Sequence, residues 1–223
     1  MALRTLDELL ERNEPAWPLV QQWLREATNP VEVLPASDPE RAEALAAVQV
    51  TTRSPMGAVI YETGGLLIDH GWLRVLGSGH PRLLRSLSGW NKGRTRIDRP
   101  DLPAYCLIAD DVLGGFFAAN GGDLPGELRH VCYFAPDTLR WESLGIGYTQ
   151  FLQWCFSGDL AGYYQEQRWP GWEADVSNLP GDQGFGVWPP LWAEGPPISE
   201  RRRGSVPMAE LYGMNVEELS KKL

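Results

Sequence analysis

Cysteine and histidine are both scarce, with three of each among 223 residues. Cys106, Cys132 and Cys155 are an odd number, well separated and flanked by apolar residues, which excludes a disulfide framework and fits a reducing compartment. No apolar run approaches the roughly 20 residues that a membrane helix needs. The opening stretch places Asp7 and Glu8 where a signal peptide requires an apolar core, so a cytoplasmic protein without membrane contact is expected. Basic residues are in deficit: 20 Lys and Arg against 29 Asp and Glu leave a net charge of −9. That balance argues against a general nucleic-acid binder, whose footprint is clustered Lys and Arg. Catalytic signatures are missing too, with no phosphate-binding loop, metalloprotease His pair or nucleophile-elbow Ser. Gly145-Ile146-Gly147 stands where a dinucleotide fingerprint would, but Gln150 replaces its third glycine and no βαβ unit surrounds it. No cofactor and no metal are expected.

What the chain does contain describes a globular protein. Its 43% apolar and 22% charged residues are ordinary for a folded domain, which rules out disorder for most of the length. Ten Trp supply large apolar area, while 24 Gly and 18 Pro call for many turns rather than a helical bundle.

Local patterns predict three N-terminal helices. Thr5-Leu6-Asp7-Glu8 is a capping box, Pro15 can open a helix that Asn29-Pro30 stops, and Ser37-Asp38-Pro39-Glu40 is a second capping box. Val31 to Leu34 reads as a short extended piece. Ala58 to Tyr61 and Leu66 to Ile68 read as strands of a hairpin turned by Thr63-Gly64-Gly65, with Trp72 to Leu76 continuing past a bend at Gly71. A Gly-, Pro- and Arg-rich excursion spans 77–103. A meander follows, with strands at 104–109, 112–119, 131–135 and 139–144, then a helix over Tyr148 to Phe156 and another near 159–167. Residues 168–205 read as a long Trp-, Pro- and Gly-rich loop with one strand near Phe185 to Trp188, and 206–223 as short terminal helices. Helices, then antiparallel strands, then helices make an α+β fold over a single domain, 1–223. The expected architecture is a central antiparallel sheet of about five or six strands, with the N-terminal helices and the 148–156 helix on one face.

The stretches "SPMGAVIYETGGLLIDHGWLRVLGSG" (54–79), "IADDVLGGFFAANGG" (108–122), "YFAPDTLRWESLGIGYTQFLQW" (133–154), "RWPGWE" (168–173) and "GDQGFGVWPPLW" (181–192) resemble the uncharacterised bacterial domain-of-unknown-function family numbered 2625. More loosely, residues 105–156 resemble the SUKH superfamily of cell-wall regulators and toxin-immunity proteins. That likeness rests on the order of strand, turn, strand ending in "YFAPDT", strand and helix, and it lacks the usual early Asn-Gly dipeptide unless Gly64-Gly65 replaces it. It implies a protein that acts by binding another.

Several residues are candidates for a site. Asp69 beside His70 is an acid/base pair if a turn at Gly71 brings the two together, and a structural turn otherwise. Asp110 and Asp111 are paired carboxylates, or turn formers at a strand junction. His130 and Cys132 share a strand face, as zinc ligands would, or as ordinary strand residues. The segment 82–99 holds Arg82, Arg85, Lys92, Arg94, Arg96 and Arg99 against Asp98, with Trp90 in the middle. It either receives an anionic group that stacks on Trp90, or pairs with the protein's own acids. Trp169, Trp172, Trp188 and Trp192 are expected to form a carbohydrate or peptide platform or to pack the long loop onto the sheet, and Trp72 is a further binding candidate. Arg201-Arg202-Arg203 reads as a flexible segment.

The reading that follows is a non-catalytic protein-binding module, immunity-like, whose partner is another protein; an open sheet edge would also permit self-association. The alternative is a small-molecule or carbohydrate-handling protein using Asp69, His70 and the loop tryptophans. A binder should expose an apolar or charged patch, and an enzyme should gather Asp69, His70 or Asp110 in a concave site.

Overall fold

The computed structural model describes residues 3–97 and 100–222; Asp98 and Arg99 of the basic segment and Leu223 lie outside the described residues. The predicted capping box at Thr5 forms, whereas Ser37 meets only the Glu40 side chain and the helix there is entered through Pro39 without a side-chain cap. The Glu8 carboxylate accepts the Thr5 N–H at 2.7 Å ahead of α1 (Leu6–Leu9), and Ser37 bonds Glu40 at 2.9 Å ahead of α3 (Glu40–Val48). Between them lie α2 (Trp17–Glu26) and β1 (Val31–Pro35).

The run Ala58 to Tyr61 departs from expectation, because it is not a strand but the interior of α4 (Pro55–Glu62). Ser54 caps that helix by accepting the Gly57 N–H at 3.1 Å, and Pro55 occupies its first position. A short apolar run, buried at Ala58, Val59 and Ile60, looks the same on a helix or a strand, and here the Ser-Pro start decides. The Thr63-Gly64-Gly65 turn is likewise displaced: those residues begin β2 (Thr63–Ile68), and the hairpin closes later, at Asp69–Trp72, before β3 (Leu73–Leu76).

After α5 (Leu87–Asn91), β4 (Tyr105–Asp111), β5 (Phe116–Asn120), β6 (His130–Ala135) and β7 (Arg140–Gly147) complete the sheet. It has seven antiparallel strands rather than five or six, each beside its neighbour in sequence, in the order β1 to β7. The helix α6 (Tyr148–Ser157) returns to pack on β6 and β7 and meets α2 and α4. Ile60, Leu66, Leu73, Val75, Leu107, Phe117, Val131, Phe151 and Phe156 are all sealed from solvent between these layers. Burial of that kind contributes about 1.5–3 kcal/mol for each large apolar side chain.

Residues 168–205 are not a loop. They follow the short α7 (Leu160–Tyr163) and hold α8 (Trp172–Ser177), β8 (Gln183–Trp188) and most of β9 (Arg202–Pro207), with β8 and β9 paired antiparallel as a second, two-stranded sheet. Arg201-Arg202-Arg203 is thus anchored: Arg201 donates to the carbonyls of Pro189, Ala193 and Pro196, and Arg203 to that of Ile198. The two short terminal helices are one helix, α9 (Met208–Lys222), which runs through Gly213. An interior glycine costs about 1 kcal/mol. Packing of Met208 and Leu211, and the Asn215 bond to the Gly114 carbonyl at 3.0 Å, outweigh that cost.

Candidate functional site

The adjacent carboxylates Asp110 and Asp111 leave β4 on opposite sides and do different things. Asp111 is the expected turn former: Oδ1 accepts the N–H groups of Leu113 and Gly115, each at 2.9 Å, and Oδ2 accepts the Tyr133 hydroxyl at 2.8 Å. It is fully buried, no cation pairs with its carboxylate among the described residues, and burial pushes its proton affinity above the usual aspartate range despite those bonds. Asp110 turns instead to two arginines. Arg74 pairs with it at 2.9 Å and Arg85 closes on its other oxygen, while Arg85 also reaches Asp182 at 3.1 Å. Arg74 and Arg85 each donate to the Gly181 carbonyl, at 2.9 and 2.8 Å. A Cβ on Gly181 would lie 2.1 Å from the Arg82 carbonyl oxygen, so only glycine lets that backbone come so close.

Asp69 and His70 do not form an acid/base pair. Both sit in the β2–β3 turn with φ of 52° and 62°, followed by Gly71 at 90°, a left-handed run that sends neighbouring side chains apart. Asp69 closes an ion pair with Arg168, whose guanidinium lies over the rings of Trp172 (4.1 Å), Trp72 (5.1 Å) and Tyr164 (5.6 Å). The His70 ring meets Trp172 edge-on at 5.8 Å. Trp169 is buried beside Trp72 and donates its indole N–H to Asp175 at 2.7 Å. The "RWPGWE" stretch is therefore largely an internal cation–aromatic cluster.

The basic segment pairs largely with the protein's own acids, although Arg82, Lys92 and Arg96 remain exposed. Arg82 pairs with Glu32, Arg85 joins the Asp110 cluster, and Arg96 reaches Asp123 at 3.5 Å. Arg94 stacks on Trp90 at 4.2 Å and donates to the Trp90 carbonyl at 3.0 Å. Trp90 is held between Arg85 and Arg94, with Phe116 and Tyr212 beside it. His130 lies 3.6 Å from Glu127, and the Cys132 thiol points to the Pro125 carbonyl. Among the described residues no group of His, Cys, Asp and Glu could hold a metal ion.

Among the described residues there are several concave regions, two of which matter most for a site. One is a polar trough of about 440 Å³ bordered by His70, Arg82, Ser177 and Asp182. The other is a groove of about 300 Å³ where β8, β9 and α9 meet, lined by Phe185, Val187, Leu191, Trp192, Val206 and Leu211 among others. Trp188 and Met214 stand in its wall with 68% and 58% of their surface exposed. Composition singled out the loop tryptophans, yet Met214 carried no signal, since the groove exists only once α9 lies across β8.

Fold and clefts define an α+β protein with a seven-stranded antiparallel meander and an appended hairpin. The chain belongs to the family described as "Protein of unknown function DUF2625", whose profile matches residues 6–211. It is 45% identical over 215 residues to the uncharacterized protein YbfG of Escherichia coli (strain K12), covering 96% of this chain and 97% of that one. An uncharacterized protein of Haemophilus influenzae (strain ATCC 51907 / DSM 11121 / KW20 / Rd) is 40% identical over 220 residues, covering 98% and 96%. No solved structure matches the chain. No helix among the described residues is long and apolar enough to cross a membrane.

Proposed function

We propose that this protein is a non-catalytic binding module that docks a segment of another protein in the groove between β8, β9 and α9. The observation that carries the reading is the joint exposure of Trp188 and Met214 in one apolar groove. Trp, Met and Arg are the residue types enriched where proteins meet, and a rigid indole loses little entropy on binding. Arg202, exposed and directly opposite Trp188 in the β8–β9 register, sets the partner's chemistry: an apolar anchor flanked by carboxylates. The immunity-like form of this reading, in which the partner is a toxin, draws its support from the resemblance of residues 105–156 to the SUKH superfamily. The pairing of Asp69 with Arg168 supports this reading over the enzyme alternative.

The test is a tagged capture from native cell extract, run in parallel with the Trp188→Ser and Met214→Ser variants. A stoichiometric protein that both variants release, at unchanged melting temperature, supports the groove. A protein retained by both variants, or the carry-through of a small metabolite with no protein, overturns it.

A further inference from the structure

The trough beside His70 lies away from the apolar groove and shares no lining residue with it. Its main chamber of about 440 Å³ continues into a recess of about 400 Å³, and Leu67, His70, Gly71, Arg82 and Ser177 border both. Arg74 and Asp182 also face it, but each is committed elsewhere: Arg74 to Asp110, Asp182 to Arg85 and the N–H groups of Leu84 and Arg85. Among the described residues, the ionisable side chains left at the rim are His70, Arg82 and Glu32.

Two features hold the first two in place. The left-handed backbone at Asp69 and His70 is strained for residues with a Cβ, and such strain persists only where surroundings enforce it. Here the Asp69–Arg168 pair, the Asp69 N–H to the Pro30 carbonyl at 2.8 Å and the edge of Trp172 enforce it. Across the trough, a His80–Leu83 bridge and the Arg82 N–H to His80 Nδ1 at 3.1 Å fix the loop that carries Arg82. Arg82 is paired with Glu32 on one side, and both side chains are more than half exposed. A pair in that setting contributes at most about 1 kcal/mol, so a better-placed anion can displace Glu32. Leu67, Val176 and Leu179 supply an apolar wall next to these groups.

We propose that this trough binds a small ligand through an oxyanion, carboxylate or phosphate, held between Arg82 and His70, with Glu32 as a built-in competitor. Planar carboxylate and phosphate oxygens match the guanidinium fork, and the apolar wall accepts the ligand's body.

The experiment is a titration of the histidine-labelled full chain with inorganic phosphate and, separately, with hexanoate, followed through the His70 ring resonances by NMR. His70→Asn, which keeps a residue tolerant of the left-handed backbone, assigns the signals. The expected result is a saturable shift with at least one probe. Arg82→Gln should weaken it by about tenfold or more, Glu32→Gln should strengthen it several-fold, and Trp188→Ser should leave it unchanged. Tighter hexanoate binding marks a carboxylate ligand with an apolar body, and tighter phosphate binding marks a phosphoryl ligand. A non-saturating response to both probes overturns the site, as does one that Arg82→Gln and Glu32→Gln leave unmoved. Because Trp188→Ser is silent here, failure of this site is distinct from failure of the groove.

Discussion

Arg74 and Asp110 are direct cross-strand partners in the β3–β4 register, and their side chains form a buried ion pair at 2.9 Å. Arg85 and Asp182 extend the pair into a four-residue cluster that ties the sheet to the loop before α5 and to the approach to β8. The geometry explains why Asp110 is no free carboxylate for chemistry.

Removing the shared acceptor should be costly. Asp110→Asn leaves two guanidinium groups with one carboxylate between them, and breaking a buried pair in this way costs about 3–5 kcal/mol. Urea denaturation monitored by Trp fluorescence measures it. A loss below about 1 kcal/mol would mean that water reaches the cluster.

Asp111 makes a pH prediction. Burial raises its proton affinity in the folded state above that of the unfolded chain. Folding is then favoured most below the unfolded aspartate value, about 3.9, and this contribution declines as pH rises through the interval up to the folded value. Asp111→Asn should flatten that decline in stability measured as pH rises from about 3.9. Identical slopes in the two proteins would contradict the assignment.

The cluster around Arg168 depends on a flat cation. Arg168→Lys keeps the charge for Asp69 but loses the planar contact with Trp172 and Trp72, so a destabilisation of about 1–2 kcal/mol is expected. A double-mutant cycle with Asp69→Asn separates the ionic part from the stacking part. An Arg168→Lys variant as stable as the parent would show that stacking adds nothing.

Two tryptophans should behave oppositely. Trp169→Ala empties a buried site and should cost about 3–5 kcal/mol, whereas Trp188→Ala should change stability by no more than about 0.5 kcal/mol. Thermal unfolding of both variants decides it, and equal losses would mean that Trp188 packs as core.

The thiols should be slow nucleophiles. Burial pushes Cys106 up to about 12 and raises Cys132 and Cys155 as well, so none carries appreciable thiolate at neutral pH. Ellman's reagent should react slowly with the native protein and promptly with all three thiols once it is unfolded. Rapid native reaction would refute this.

Signals that act over a few residues were legible in the chain itself. The capping box at Thr5, the Ser37-Asp38-Pro39-Glu40 helix start and the helix expected over Tyr148 to Phe156 each rest on neighbouring residues, and each element is present. The α+β order and the family follow from the same kind of information. Whether Ala58 to Tyr61 coiled or extended was a contest between a helix start at Ser54-Pro55 and strand-prone side chains, which apolar pattern alone does not resolve. Only tertiary structure decided the rest. Asp69 chose Arg168, 99 residues away, over its neighbour His70, because the left-handed turn separates adjacent side chains. Arg85 of the basic segment is drawn inward because the fold brings Asp110 of β4 and Asp182, just before β8, to its guanidinium. The groove of Trp188 and Met214 arises where α9 folds back over the β8–β9 pair that precedes it, a juxtaposition that local pattern does not encode.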